Sequence, residues 1–121
     1  MTYESVKDVD SKIAPGVRFR VARMSFARRM ELMRQVRELA RRTEFLEAGK
    51  EPGEKMEAAL VQAEVDRLYL MWGLVEVSGL EVDGAEATPA VLAECGPEDL
   101  FREALAAVKA ETGLSGTERK N

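Results

Sequence analysis

Between Trp72 and Pro97 the chain reads WGLVEVSGLEVDGAEATPAVLAECGP, and helical spacing cannot be carried through it. Val75 and Val77 alternate with Glu76, and Leu80 and Val82 with Glu81, which is the period of a half-buried strand. Asp83-Gly84 then signals a hairpin turn, because both positions tolerate positive φ. Ala85–Ala87 is the short return strand. Helix-start chemistry resumes at Thr88-Pro89 and again at Gly96-Pro97. A small β element is therefore expected between a helical front half and a helical tail. An isolated two-stranded hairpin is marginal in water, so it should pack on the helices or pair with another strand.

The partner strand has a candidate. Val17, Phe19 and Val21 alternate with Arg18 and Arg20 after the Pro15-Gly16 turn. Residues 1–16 before it are polar and read as an extended, poorly ordered arm. Ser25 is placed to cap a helix over about 25–48, with Phe26, Met30, Met33, Val36, Leu39 and Leu46 at roughly helical spacing. Gly49 sits where a left-handed C-terminal residue belongs. The short linker Gly49-Lys50-Glu51-Pro52-Gly53 favours an antiparallel helical hairpin with a second helix over about 54–72. That helix carries two apolar stripes, Met56-Leu60-Ala63 and Val61-Val65-Leu68-Trp72, and is expected to be buried on two sides. Asp66 and Arg67 interrupt the first stripe and are placed to pair with the Arg-rich helix. A last helix is expected over about 97–112, with Gly113 ending it. Ser115-Gly116-Thr117-Glu118 has capping-box spacing, but so little chain follows that 115–121 reads as a frayed tail. The expected fold class is α+β, mainly α, with a single globular body over 17–114.

Several function classes are excluded or disfavoured by composition. The 121 residues contain no His, which removes His-based acid–base catalysis, Ser-His and Cys-His pairs, and His-ligated metals. Cys95 is the only cysteine, so no disulfide can form within the chain. A buried or incidental thiol is the expectation for it. No catalytic residue, cofactor site or metal site is expected. The carboxylates at 98, 99 and 103 read as helix-dipole and solvation groups. No run approaches the roughly 18 apolar residues that span a membrane. The first residues carry early charge and no apolar stretch, so the expectation is a cytoplasmic protein without membrane contact.

The net charge of −4 conceals an asymmetry. Residues 17–42 hold nine Arg against two Glu, giving +7, whereas 43–121 sum to −10. Such a division suggests internal pairing or a one-sided partner surface. Arg28, Arg34, Arg37 and Arg41 are the candidate contact cations, with Met33 as an adaptable apolar contact and Trp72 as an interface anchor. The competing reading makes the arginines a solvated or internally paired face, and puts Met24, Met30, Met33, Tyr69, Met71 and Trp72 in the core. No aromatic residues interleave the arginines for base stacking, so an acidic protein partner is as good a candidate as nucleic acid. A small nucleic-acid-binding regulator using the Arg-rich face of 18–42 is the alternative.

The layout also carries a resemblance. A basic amphipathic helix leads into a Trp-Gly element, then GLEVDG, TPAVL and GPEDLFREAL, and the chain closes in TERKN. Over roughly 17–121 this is similar to small proteins of bacteriophage and prophage tail genes, particularly tail assembly chaperone-like proteins. The resemblance implies a non-enzymatic role. The partner would be a tape-measure protein or a tail subunit, held by the Arg face of the first helix and any uncovered part of its Met/Phe stripe. A structural tail piece held in a ring of like copies is the second option it implies, with homo-oligomeric contacts between basic front and acidic back.

Overall fold

The computed structural model describes residues 1–47 and 52–113. In chain order these form β1 (Val6–Asp10), β2 (Arg18–Ala22), α1 (Phe26–Glu47), α2 (Pro52–Gly73), β3 (Leu74–Ser78), β4 (Glu81–Val82), β5 (Ala85–Glu86), α3 (Pro89–Cys95) and α4 (Glu98–Thr112). The fold is α+β and mainly α. Two compact units divide it: Met1–Met24 with Leu70–Asn121, and Ser25–Tyr69. The sequence reads as one body over 17–114. Contacts separate 25–69 because long helices make most of their contacts locally along the chain. The left-handed end expected at Gly49 and the tail at 115–121 lie outside the described residues.

The first unit is built on an antiparallel sheet of order β1-β2-β3. Here the expectation for residues 1–16 is corrected: Val6–Asp10 is not a loose arm but a paired edge strand. Val9 lies opposite Phe19 and Lys7 opposite Val21, so β1 extends the face that β2 buries. Phe19 and Val21 are fully buried, whereas Arg18 and Arg20 point to solvent, as period-2 alternation requires. The strand at 74–78 pairs with β2, which supplies the partner that an isolated hairpin would lack.

Register shifts between Arg20 and Val21, placing Val77 opposite Phe19 and Leu74 opposite Val21. Residues 74 and 77 are an odd number apart, which an unbroken strand sends to opposite faces. The irregularity buries both and leaves Val75 exposed.

The expected hairpin over 75–82 and 85–87 is shorter in the structure. Gly79, at φ +81°, breaks the alternation, so only β4 and β5 form the two-stranded piece. Its turn is the Asp83-Gly84 pair, at φ 54° and 84°. Thr88 caps α3 by accepting the Val91 N–H at 3.2 Å, with Pro89 in the first turn. α4 ends at Gly113 in the left-handed region, φ 66°. Its buried residues Leu100, Ala104, Leu105, Val108 and Thr112 recur on one face, and the helix packs against β2 and β3. Each large aliphatic side chain buried there contributes about 1.5–3 kcal/mol. Thr112 Oγ1 donates to the Lys109 carbonyl at 2.7 Å, so its burial leaves no hydroxyl unpaired.

The second unit holds α1 and most of α2. Ser25 starts α1 as its spacing predicts, accepting the Arg28 N–H on Oγ at 3.3 Å. Leu32 is fully buried in α1, and Ala58, Val61, Val65 and Tyr69 are buried in α2. Arg42 and Glu64 join the two helices at 3.9 Å.

Candidate functional site

The Met/Phe stripe of α1 is the first departure from a core reading. Phe26 is 81% exposed, Met30 46% and Met33 43%. At 3.6 residues per turn these three fall within about 60° of arc. Arg37 stands in the same arc, and Arg41 and Arg34 lie just beyond it. The buried position, Leu32, is well round the helix from them. The apolar surface of α1 is therefore wider than the part that is covered. Large exposed apolar residues in a row mark interaction surfaces more often than scattered ones do.

The arginines form a narrower cationic rim than the sequence suggests. Arg34 reaches Glu31 at 2.5 Å and Arg41 reaches Glu38 at 3.7 Å, both one turn away on the same helix. Gln35 also donates to Glu31, at 2.8 Å. Such exposed pairs are each worth only about 0.2–0.5 kcal/mol, so they neutralise without locking the side chains. Arg37 forms no ion pair with any described residue. Arg28 is exposed and donates its backbone N–H to the Ser25 cap. Trp72 belongs to the other compact unit, where it is half-buried. Of its neighbours, Tyr69 is buried and Met71 is exposed.

Arg18 and Arg20 belong to the other compact unit. They lie on the solvent face of the sheet, where Asp10 accepts from Arg18 at 2.8 Å and Asp8 from Arg20 at 2.9 Å. Glu76 of β3 stands 3.8 Å from Arg20 on its other side. The hydrogen bond from Arg20 holds the Asp8 carboxyl below the usual carboxylate range, and the Asp8 and Asp10 carboxylates raise the two guanidinium groups. These cations are spent on a cross-strand ladder. The Arg-rich run of 18–42 is thus divided between a strand of one unit and a helix of the other, with Arg18 and Arg20 already paired to carboxylates.

A second exposed stripe was expected to be buried. On α2, Met56 is 69% exposed and Leu60 55%, with Ala59 and Ala63 exposed beside them. As far as Tyr69 the helix is covered on one side only, whereas Leu70, on the side of Leu60, is fully buried. Asp66 takes a hydrogen bond from Gln62 at 3.4 Å, while Glu64 makes the cross-helix pair described above. Periodicity located both stripes, but no local signal in the sequence says whether a stripe is covered.

Among the described residues, no group of three or more Cys, Asp or Glu is placed to hold a metal ion. No helix of the described chain is long and apolar enough to cross a membrane. Cys95 is exposed at the end of α3 rather than buried. Compared with known proteins, the chain matches no family model, no curated protein and no solved structure.

Proposed function

We propose that the chain is a non-catalytic binding protein that holds a helical segment of a protein partner along α1. Phe26, Met30 and Met33 form the apolar contact, Arg37 pairs with a carboxylate at its rim, and Arg28, Arg34 and Arg41 extend the cationic margin. The exposure of the Phe26-Met30-Met33 stripe carries this reading. An aromatic residue beside methionines suits a groove-binding helix, because the thioether chains repack around different ligand side chains. Arginine, methionine and aromatic residues are also the types enriched in interface cores.

The resemblance to tail assembly chaperone-like proteins names the class of partner: a long helical tape-measure protein or a tail subunit, bound during assembly. The nucleic-acid alternative has less support, since Arg18, Arg20, Arg34 and Arg41 all have acidic partners within the chain.

The test is copurification of the tagged full chain from cells expressing its neighbouring genes, alongside a Phe26→Glu/Met33→Glu variant. Capture of a tail component by the parent chain and its loss from the variant is the expected result. Equal capture by both, or binding of duplex DNA that weakens steeply with salt, would overturn the reading.

A further inference from the structure

We propose that the outer face of α2 is a self-association surface through which two copies of this chain pair, antiparallel, about a two-fold axis near Leu60. The proposal is independent of the α1 reading, because it uses the other helix and another stripe.

Met56, Leu60 and Ala63 fall within about 60° of helical arc, and Ala59 widens it to about 100°. This arc lies opposite the buried arc of Ala58, Val61, Val65 and Tyr69. A helix that is apolar on both sides needs cover on both, and here the outer side is bare from Met56 to Ala63, although Leu70 further along it is buried. The small residues at 59 and 63 let a second helix approach closely. Beside the stripe runs a depression of about 500 Å³, lined by Lys55, Ala58, Ala59 and Gln62.

Charge selects the second copy as occupant. Lys55 and Asp66 lie on the same flank of the stripe, at opposite ends. In an antiparallel pair, like flanks meet, so Lys55 comes opposite Asp66 of the second copy, and the reverse pair forms as well. Asp66 already has partners in its own chain, Gln62 among them, and a carboxylate takes several donors. The other flank brings Glu57 towards Glu64 of the second copy. That repulsion is relieved because Arg42 stands 3.9 Å from Glu64 in its own chain. One patch meeting itself gives a closed dimer rather than a fibre. The stripe is short beside the roughly 800 Å² per partner of a standard interface, so the dimer is a reversible one.

Sedimentation velocity on the full chain between about 1 and 500 µM tests this, over the range where small interfaces associate. Concentration-dependent dimer is expected from the parent chain. Leu60→Glu and, separately, Ala63→Glu should both be monomeric with unchanged far-UV circular dichroism. Lys55→Asp should weaken association roughly three- to tenfold, and Lys55→Asp/Asp66→Lys should restore it. In a Cys95→Ser background, Leu60→Cys should oxidise to a covalent dimer faster than Met30→Cys. A parent chain that is monomeric throughout, with or without an added protein, overturns the proposal. So does a Leu60→Glu or Ala63→Glu dimer as strong as the parent. Failure of the charge swap to restore association, or faster cross-linking through position 30, overturns the antiparallel arrangement.

Discussion

Glu103 of α4 holds Ser11 in the β1–β2 connection: the Ser11 hydroxyl donates to Oε1 at 2.6 Å, and the Lys12 N–H donates to Oε2 at 2.7 Å. Ser11 Oγ in turn accepts the N–H groups of Ile13 and Ala14 at 3.1 and 3.0 Å. One carboxylate thus organises a turn that has little regular structure of its own. Lys7 adds a second tie to α4, reaching Glu111 at 3.5 Å. These contacts explain why the N-terminal residues are ordered as a strand.

Replacing Glu103 with Ala should lower stability by about 1–3 kcal/mol, since it leaves a part-buried hydroxyl and an N–H without their acceptor. Ser11→Ala should cost less. Urea titration of the two single variants and the double variant measures this, and non-additivity is the expected sign of their contact. Additive losses would show that Ser11 and Glu103 act separately.

Gly79 meets Gly16 backbone to backbone. A Cβ at 79 would lie 2.0 Å from the Gly16 carbonyl oxygen, and Gly79 also sits at φ +81°. Gly79→Ala should therefore cost well over the roughly 1 kcal/mol of a positive φ alone. Gly84→Ala has open space around it and should cost only that strain. Thermal melts of the two variants should rank in this order; equal losses would count against the close approach.

The Asp8–Arg20 bond gives a pH dependence of known sign. The folded Asp8 carboxyl titrates below its unfolded counterpart. Its contribution is therefore complete above the unfolded value, about 3.9, and disappears as pH falls through the folded one. Asp8→Asn should flatten the acid limb of a stability profile and leave its slope near neutral pH unchanged. A steeper acid limb in the variant would contradict the ladder.

Leu32 and Met33 are neighbours with opposite roles. Leu32→Ala opens a cavity at a fully buried site and should cost about 2–5 kcal/mol. Met33→Ala, on the exposed stripe, should stay within about 0.5 kcal/mol of the parent. If Met33→Ala also destabilised by several kcal/mol, that side chain would be core and not a contact surface.

Local chemistry made much of this fold legible. Ser25, Thr88 and the Asp83-Gly84 turn act through groups a few residues away, so their roles follow from the sequence around them. The strand at 6–10 does not: VKDVD has weak alternation, and its pairing is fixed by β2 and by Glu103, some ninety residues on. The break at Gly79 depends likewise on the distant Gly16 carbonyl. For the candidate surface, spacing placed Met33 and Leu60 on apolar stripes, but cover is a tertiary property. The arginine run looked continuous because sequence does not record that Arg18 and Arg20 sit on a strand facing Asp10 and Asp8.

Because the sheet unit is made from Met1–Met24 and Leu70–Asn121, the first two strands leave the ribosome well before their helical cover is synthesised. The stretch 25–69, whose helices form from local contacts, is finished first although it begins second. Assembly of the outer pieces therefore waits on β3 and α4, which are made after both long helices. A truncation after α2 would strand β1 and β2 with Phe19 and Val21 bare, a hazard for aggregation.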